Sequence, residues 1–243
     1  MAIVAGTKAE TVIEIILKIP EAQRKKVTEI TLDMAGSMTM IAKRCFSRAT
    51  RVTDRFHVQR LAVEALQEIR IKYRWEALDL ENDAIEQAKL SKIEYKAETL
   101  PNGDTVKQLL ARSRYALYKK PNTWTDSQRE RAQLLFERFP DLKKAYDLAQ
   151  ELSNIFTNTT EKIYGLTRLA QWHEKVRQSG FKSFNTVAKS IENHYQTILN
   201  YFDNRSTNAS AESFNAKIKA FRSQFRGVRN VEFFLFRLTQ LYA

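Results

Sequence analysis

Residues 206–226 read STNASAESFNAKIKAFRSQFR, and the rest of the chain is organised around this stretch. Asn208 is a favourable N-cap, because its side chain can accept a hydrogen bond from the free amides of a first helical turn. Gly227 is a favourable stop, since glycine adopts the left-handed conformation at low cost. Apolar side chains between them recur at the spacing of one helix face, at Ala211, Phe214, Ile218, Phe221 and Phe225. The stretch predicts an amphipathic helix that packs on a core.

Glu212 falls in the first turn of this helix. It shares a polar face with Asn208, Asn215, Lys219 and Arg222. A carboxylate on so rigid an element suits a metal ligand. An acid in a first turn also opposes the positive end of the helix dipole, for about 0.3–1 kcal/mol. On the pattern alone, this helix-dipole interpretation is favoured.

Length, charge and cysteine content limit the classes of protein to which this chain can belong. The chain has 243 residues, enough for one large or two small domains, and its formal charge of +12 favours a polyanionic partner, nucleic acid first. The single cysteine, Cys45, excludes an internal disulfide and a cysteine-cluster zinc site. No apolar run approaches the roughly 20 residues that span a bilayer, and no signal peptide is evident. A cytoplasmic protein without a membrane partner is expected.

Two short strands are predicted before residue 57. The run 27–33 is rich in β-branched residues and ends abruptly at Asp33, which is expected to emerge at the carboxyl end of a buried strand. A second short strand, 49–53, leads into DRFHV at 54–58. Residues 1–4 are expected to be the end of another strand. Between the two strands, an apolar pattern predicts a helix that buries Cys45 as an inert thiol.

From about residue 58 to 203 the pattern changes to successive helices. Predicted helices cover about 58–99, 105–119, 126–139, 140–156, 160–178 and 184–202. No strand signal interrupts them, so an all-helical block is predicted between the sheet segments. Trp75, Trp124 and Trp172 are expected to be core anchors, and Val231–Tyr242 a buried closing helix.

Three motifs in order resemble the bacterial insertion-sequence transposases of the ISL-three family, which use an aspartate–aspartate–glutamate triad. ITLDM at 30–34 is similar to the strand that delivers the second catalytic aspartate. DRFHV at 54–58 is similar to an Asp-x-x-His motif, and NASAESFNAKIK at 208–219 to the helix of the catalytic glutamate. LLARSRYALYK at 109–119 and DLKKAYDL at 141–148 resemble the family's helical insertion. The resemblance covers essentially the whole chain.

The resemblance implies an α/β fold that is predominantly helical overall. Residues 1–57 and 204–243 would form a partial ribonuclease H-like catalytic core, and 58–203 an all-helical insertion. Asp33 and Glu212 would be catalytic and metal-binding, with Mg²⁺ or Mn²⁺ clamped by carboxylates. Asp54 is the rival for the second aspartate, although a strand-end position favours Asp33.

Other side chains receive supporting roles from the resemblance. Asp54, His57, Asn208 and Asn215 would surround the acids, and basic residues would hold DNA phosphates, namely Lys217, Lys219, Arg222, Arg226 and Arg229. Ordinary solvated polar or basic faces are the alternative. His173 and His194 are expected to be surface or packing histidines.

The sequence departs from the family at its start. The first catalytic aspartate would lie upstream of the residues present, as would the segments that read the element's ends. The chain is therefore expected to be the C-terminal part of a transposase, with a poorly bound metal and no activity alone. The partner would be DNA, with self-association or mixed assembly with full-length transposase. Alternatives are a non-catalytic DNA-binding regulator and an unrelated helical interaction protein.

Overall fold

The structure is a computed structural model that describes residues 8–224, 227 and 229–242, without the side chains of 241 and 242. Contacts within the chain divide it into two compact units, residues 1–57 with 196–243, and residues 58–195. The chain is predominantly helical, as predicted. The predicted entry strand at 1–4 lies outside the described residues. Within the described part, no helix combines the length and apolar character needed to cross a bilayer.

The first unit begins with alternating helices and strands. In chain order these are α1 (Ala9–Leu17), α2 (Glu21–Arg24), β1 (Glu29–Leu32), α3 (Gly36–Cys45) and β2 (Thr50–Thr53). Helices α1 and α3 pack through their apolar faces, which bury Ile13, Ile41 and Cys45. Burial raises the pKa of the Cys45 thiol, so this cysteine is the inert core residue that the sequence predicted.

The two strands form a parallel pair. Their register aligns Glu29 with Thr50 and Leu32 with Thr53, so both strands end at the same level. Parallel strands require a crossover connection, and α3 provides it. Both predicted strands are confirmed, although β1 is shorter than the predicted run and only Leu32 in it is buried.

The carboxyl-terminal part of this unit is helical. It contains most of α10 (Tyr195–Leu199), then α11 (Tyr201–Asn204), α12 (Ala209–Gln224) and α13 (Val231–Tyr242). Helix α12 is the amphipathic helix predicted from residues 206–226, and Phe221 is its buried residue. The prediction that α13 is buried is wrong. Val231, Phe233 and Phe236 are exposed, although Leu238 is buried and Phe234 contacts Phe221, with ring centroids 5.3 Å apart.

The second unit, all of whose residues are described, contains helices joined by loops and has no strand. It contains α4 (Arg55–Leu90) from residue 58 onward, α5 (Val106–Arg112), α6 (Asp126–Arg138), α7 (Pro140–Asn158), α8 (Lys162–Ser179) and α9 (Lys182–Asn193). Helix α7 is the most buried of these and contributes Leu142, Leu152 and Phe156 to the core. Trp172 of α8 is fully buried and donates its indole N–H to the Leu148 carbonyl at 2.8 Å.

Local sequence signals explain where several of these helices begin and end. Thr105 and Thr125 both form capping boxes, with Gln108 and Gln128 respectively. Pro140 occupies the first turn of α7. Gly180 ends α8 in the left-handed conformation at φ 72°.

Four predictions for this block need correction. The helix predicted at 105–119 ends at Arg112, and Ala116–Tyr118 forms a separate 3-10 helix. Helix α4 ends at Leu90 rather than near residue 99, because Lys92 adopts a left-handed conformation at φ 52° and the Ile93 amide closes back on the Ala88 carbonyl at 2.9 Å. The predicted helix 184–202 is broken into α9, α10 and α11. Trp75 is not a core anchor, since 61% of it is exposed.

Candidate functional site

The carboxyl ends of β1 and β2 place two aspartates at one edge of the sheet. Asp33 follows Leu32, and Asp54 follows Thr53, the partner of Leu32 in the register. The Asp54 amide extends the pairing by donating to the Leu32 carbonyl at 2.9 Å. The two acids therefore leave adjacent strands at the same level, which is where open α/β sheets gather their ligands.

Asp54 is a buried carboxylate whose two oxygens are both engaged. It is 1% exposed. Oδ1 accepts the Phe56 N–H at 3.0 Å, which is an N-cap contact at the start of α4. Oδ2 accepts the Asn208 N–H at 3.1 Å, across 154 positions of sequence. This one side chain therefore joins the end of β2 to the starts of two helices.

Asn208 connects this carboxylate to the helix of Glu212. Its N–H donates to Asp54, and its own carbonyl accepts the Glu212 N–H at 2.8 Å. Asn208 directly precedes α12, which is the position predicted for an N-cap. The contacts seen there are made by its backbone and not by its side chain, contrary to the prediction. The first turn of α12 is thereby attached to the end of the strand pair.

Three more hydrogen bonds attach the segment before α12 to the strands. The hydroxyls of Thr53 and Thr197 lie 2.7 Å apart. The Asn200 side-chain amide donates to the Arg51 carbonyl at 2.9 Å, and that of Asn204 donates to Glu29 Oε2 at 2.8 Å. These polar contacts fix the approach to α12 at several points along both strands.

Asp33 differs from Asp54 because only one of its carboxylate oxygens accepts a hydrogen bond from a described residue. It is half-buried. Oδ1 accepts the Ala35 N–H at 2.9 Å in a tight turn that leads into α3. No donor among the described residues reaches Oδ2. Asp33 therefore has a fixed orientation and one oxygen open to a ligand.

Glu212 is exposed in the first turn of α12. No side-chain hydrogen bond or ion pair joins it to another described residue. The start of its helix is linked to the strand edge through Asn208, and no described side chain holds its carboxylate. Within the described residues, no three or more His, Cys, Asp or Glu side chains form a group that could hold a metal ion.

The remaining predicted residues surround this edge less closely. His57 donates its backbone N–H to the Asp54 carbonyl at 3.2 Å, and its ring packs edge-on against Phe56. Asn215 is exposed, as are the basic residues Lys217, Lys219, Arg222 and Arg229. Arg226, also predicted to bind DNA, lies outside the described residues.

Sequence reasoning missed the residues that attach α12 to the strands. Thr197 and Asn200 lie in what looked like one uniform helix, and no local pattern identifies their partners. Tyr201 was missed as well. It is buried, and the guanidinium carbons of Arg55 and Arg205 lie 5.7 and 5.5 Å from its ring centroid. A buried tyrosine between basic residues carries no sequence signal that separates it from an ordinary core position.

Comparisons with known proteins identify the family. The transposase for insertion sequence element IS1557 of Mycobacterium tuberculosis, from two strains, is 26% identical over 204 residues, which are 80% of this chain and 43% of the relative. The chain thus spans less than half the length of these curated relatives. No solved structure matches it. The model of the ISL-three family (ISL3), described as "Transposase", matches residues 1–238. Since that match covers nearly the whole sequence, the chain belongs to the ISL3 transposase family.

Proposed function

We propose that the edge of the strand pair is part of the catalytic centre of an insertion-sequence transposase, with Asp33 and Glu212 as two of its acids. One observation carries the proposal. The Asn208 N–H bonds to Asp54 Oδ2, which attaches the first turn of the Glu212 helix to the strand end where Asp33 emerges. We infer that these two acids, nearly 180 positions apart in one compact unit, share that edge.

The donor chemistry of this edge fits a hard divalent cation. Mg²⁺ binds oxygen ligands, keeps several of its waters and needs only a few carboxylates. Asp33 offers one oxygen free of described donors, and Glu212 offers both. Asp54 is less accessible to an ion, since it is 1% exposed and each of its oxygens already accepts a backbone amide. Its proposed role is to position α12.

Bound at these acids, Mg²⁺ or Mn²⁺ would supply the Lewis acidity that phosphodiester cleavage and strand transfer require. The residues of this chain would hold the metal and orient the DNA. Exposed basic side chains on and beyond α12 are proposed to contact phosphates, namely Lys217, Lys219, Arg222 and Arg229. Such contacts give affinity that depends on salt and little on sequence.

The fold assignment belongs to the same proposal. A ribonuclease H-like core with an all-helical insertion would contain a parallel strand pair with a helical crossover. It would also contain a helical unit between those strands and α12 in the sequence. The family resemblance assigns two of the three acids of the triad to residues of this chain, Asp33 and Glu212. A site with two acids binds metal weakly, so we propose that these 243 residues alone neither cleave nor join DNA.

Metal binding tests the proposed ligands. Titration of the chain with Mn²⁺, followed by the electron paramagnetic resonance signal of the free ion, should show a weak site. Asp33→Asn and Glu212→Gln should each remove it. Glu10→Gln, an exposed acid in the first turn of another helix of the same unit, is the matched control and should leave it intact. Equal binding by all four proteins would refute the assignment.

A second candidate is a DNA-binding regulator without catalysis. It is favoured by the lack of a three-acid group within the described residues and by the charge of +12. The two functions differ in their dependence on metal. A catalytic centre predicts that Asp33→Asn abolishes Mn²⁺ binding, whereas a regulator predicts DNA binding with no metal site at all. Robust nicking of supercoiled DNA by the purified chain would contradict both.

A further inference from the structure

The helical unit carries a cluster of arginines that is not neutralised by acids. Arg70 lies at its centre, 5% exposed. Its Nε donates to Gln67 Oε1 at 2.6 Å, and its Nη1 donates to the Leu110 carbonyl at 2.8 Å. Gln67 in turn donates to the Arg114 carbonyl at 3.2 Å. A buried guanidinium is thus held by neutral acceptors only.

The neighbours of Arg70 add positive charge. Burial lowers the pKa of Arg70, the charges of Arg114 and Arg74 lower it further, and the Tyr118 phenol opposes them. No acid among the described residues forms an ion pair with Arg70, Arg74 or Arg114. Several other arginines of this unit differ in this respect. Arg60, Arg112, Arg131 and Arg177 each pair with a carboxylate.

Exposed aromatic side chains accompany these arginines. Tyr115 is 66% exposed, and the Arg114 guanidinium carbon lies 5.6 Å from its ring centroid. Tyr118 ends the short 3-10 helix that follows Tyr115, and it is 48% exposed. Two exposed rings beside arginines that lack carboxylate partners suit a partner with both flat apolar faces and negative charge.

We propose that Arg74, Arg114, Tyr115 and Tyr118 form a binding surface for single-stranded DNA on the helical unit. The arginines would contact phosphates, and the two tyrosines would stack on unpaired bases. The charge of the surface is complementary to this partner, and exposed rings should favour unpaired strands over duplex because they can stack on open bases. This surface contains none of the acids and basic residues assigned to the proposed catalytic centre. The proposal of a single-strand surface can therefore be tested independently of that centre.

Anisotropy of a labelled 20-nucleotide single strand, and of the same sequence as duplex, tests the surface on the full chain. Arg74→Gln and Arg114→Gln should each weaken single-strand binding about fivefold or more. Each should also reduce the slope of log affinity against log salt by about 0.7. Arg177→Gln removes an exposed but paired arginine of the same unit and should change the affinity less than twofold.

The tyrosines test the stacking. Tyr115→Ala and Tyr118→Ala should each weaken single-strand binding by about fivefold to a hundredfold, with much less effect on duplex. Tyr164→Ala, an exposed tyrosine elsewhere in the unit, is the control. Circular dichroism checks that each variant folds. The proposal is overturned if the arginine variants bind within twofold of the parent, or if the tyrosine variants bind both DNAs as well as the parent does.

Cross-linking gives a readout that does not depend on total affinity. A single strand carrying 5-iododeoxyuridine should cross-link on irradiation to the peptide that contains Tyr115 and Tyr118. Cross-links found only in residues 196–243 would place the single strand elsewhere and overturn the proposal.

Discussion

Replacing Asp54 should loosen the start of α12. Asparagine has nearly the same shape as aspartate but only one acceptor oxygen, so it can serve the Phe56 N–H or the Asn208 N–H but not both. The other amide would then face a donor in a site that is 1% exposed. A hydrogen bond to a charged acceptor contributes about 1.5–3 kcal/mol, so Asp54→Asn should cost about 2 kcal/mol. Alanine also removes the N-cap and should cost about 2–4 kcal/mol.

The assay must report on the correct unit. All three tryptophans lie in residues 58–195, so their fluorescence does not follow the unit that contains Asp54. Amide hydrogen exchange measured by mass spectrometry can be read for the peptide 206–224 alone. A loss of 2 kcal/mol should accelerate exchange in that peptide about 30-fold, while peptides from α7 keep their rates.

Asp33→Asn is the matched control for this experiment. Its Oδ1 can still accept the Ala35 N–H, so the cost should stay below about 0.5 kcal/mol and exchange in 206–224 should be unchanged. Unaltered exchange in Asp54→Asn, or equal acceleration in both variants, would refute the claim that Asp54 holds α12 in place.

Three further outcomes are expected in the helical unit. Burial raises the pKa of the Asp104 carboxyl. The hydrogen bonds and positive charges of Arg131 and Arg112 outweigh that effect and hold the pKa below its usual range. The ion pairs of Asp104 should contribute their full stability above about pH 4 and lose it as the pH falls further. The difference in thermal midpoint between the parent and Asp104→Asn should therefore shrink in acid. Trp172→Phe removes a buried indole and its hydrogen bond and should cost about 2–3 kcal/mol in urea unfolding, whereas Trp75→Phe on the surface should cost less than about 0.5 kcal/mol. Lys92→Gly relieves a left-handed lysine and should raise the unfolding free energy by about 0.5–1 kcal/mol in the same measurement.

Much of the secondary structure could be predicted because its causes are local. Thr125, Pro140 and Gly180 each set a helix boundary through contacts within a few residues of themselves. Burial could not be predicted in the same way, as the exposed Trp75 and the exposed residues of α13 show. An apolar pattern identifies a helix face, but it does not say whether another element of the chain covers that face.

The positions of Asp33 and Asp54 at strand ends could be predicted, whereas the hydrogen bonds that attach α12 to the strands could not. Strand patterns placed Asp33 and Asp54 at strand ends, and the family resemblance selected Glu212. The bond from Asn208 to Asp54 joins residues 154 positions apart through a backbone amide, which every residue except proline possesses. Nothing in the sequence marks that amide, so the difference between the hydrogen bonds of Asp33 and those of Asp54 could be seen only in the structure.

Anomalous diffraction from crystals of the chain soaked in Mn²⁺ tests the central claim most directly. The account predicts an anomalous peak bonded to a carboxylate oxygen of both Asp33 and Glu212, with the Asp54 oxygens still on the amides of Phe56 and Asn208. A peak held by Asp54, or carboxylates of Asp33 and Glu212 that point away from each other with no ion between them, would contradict it.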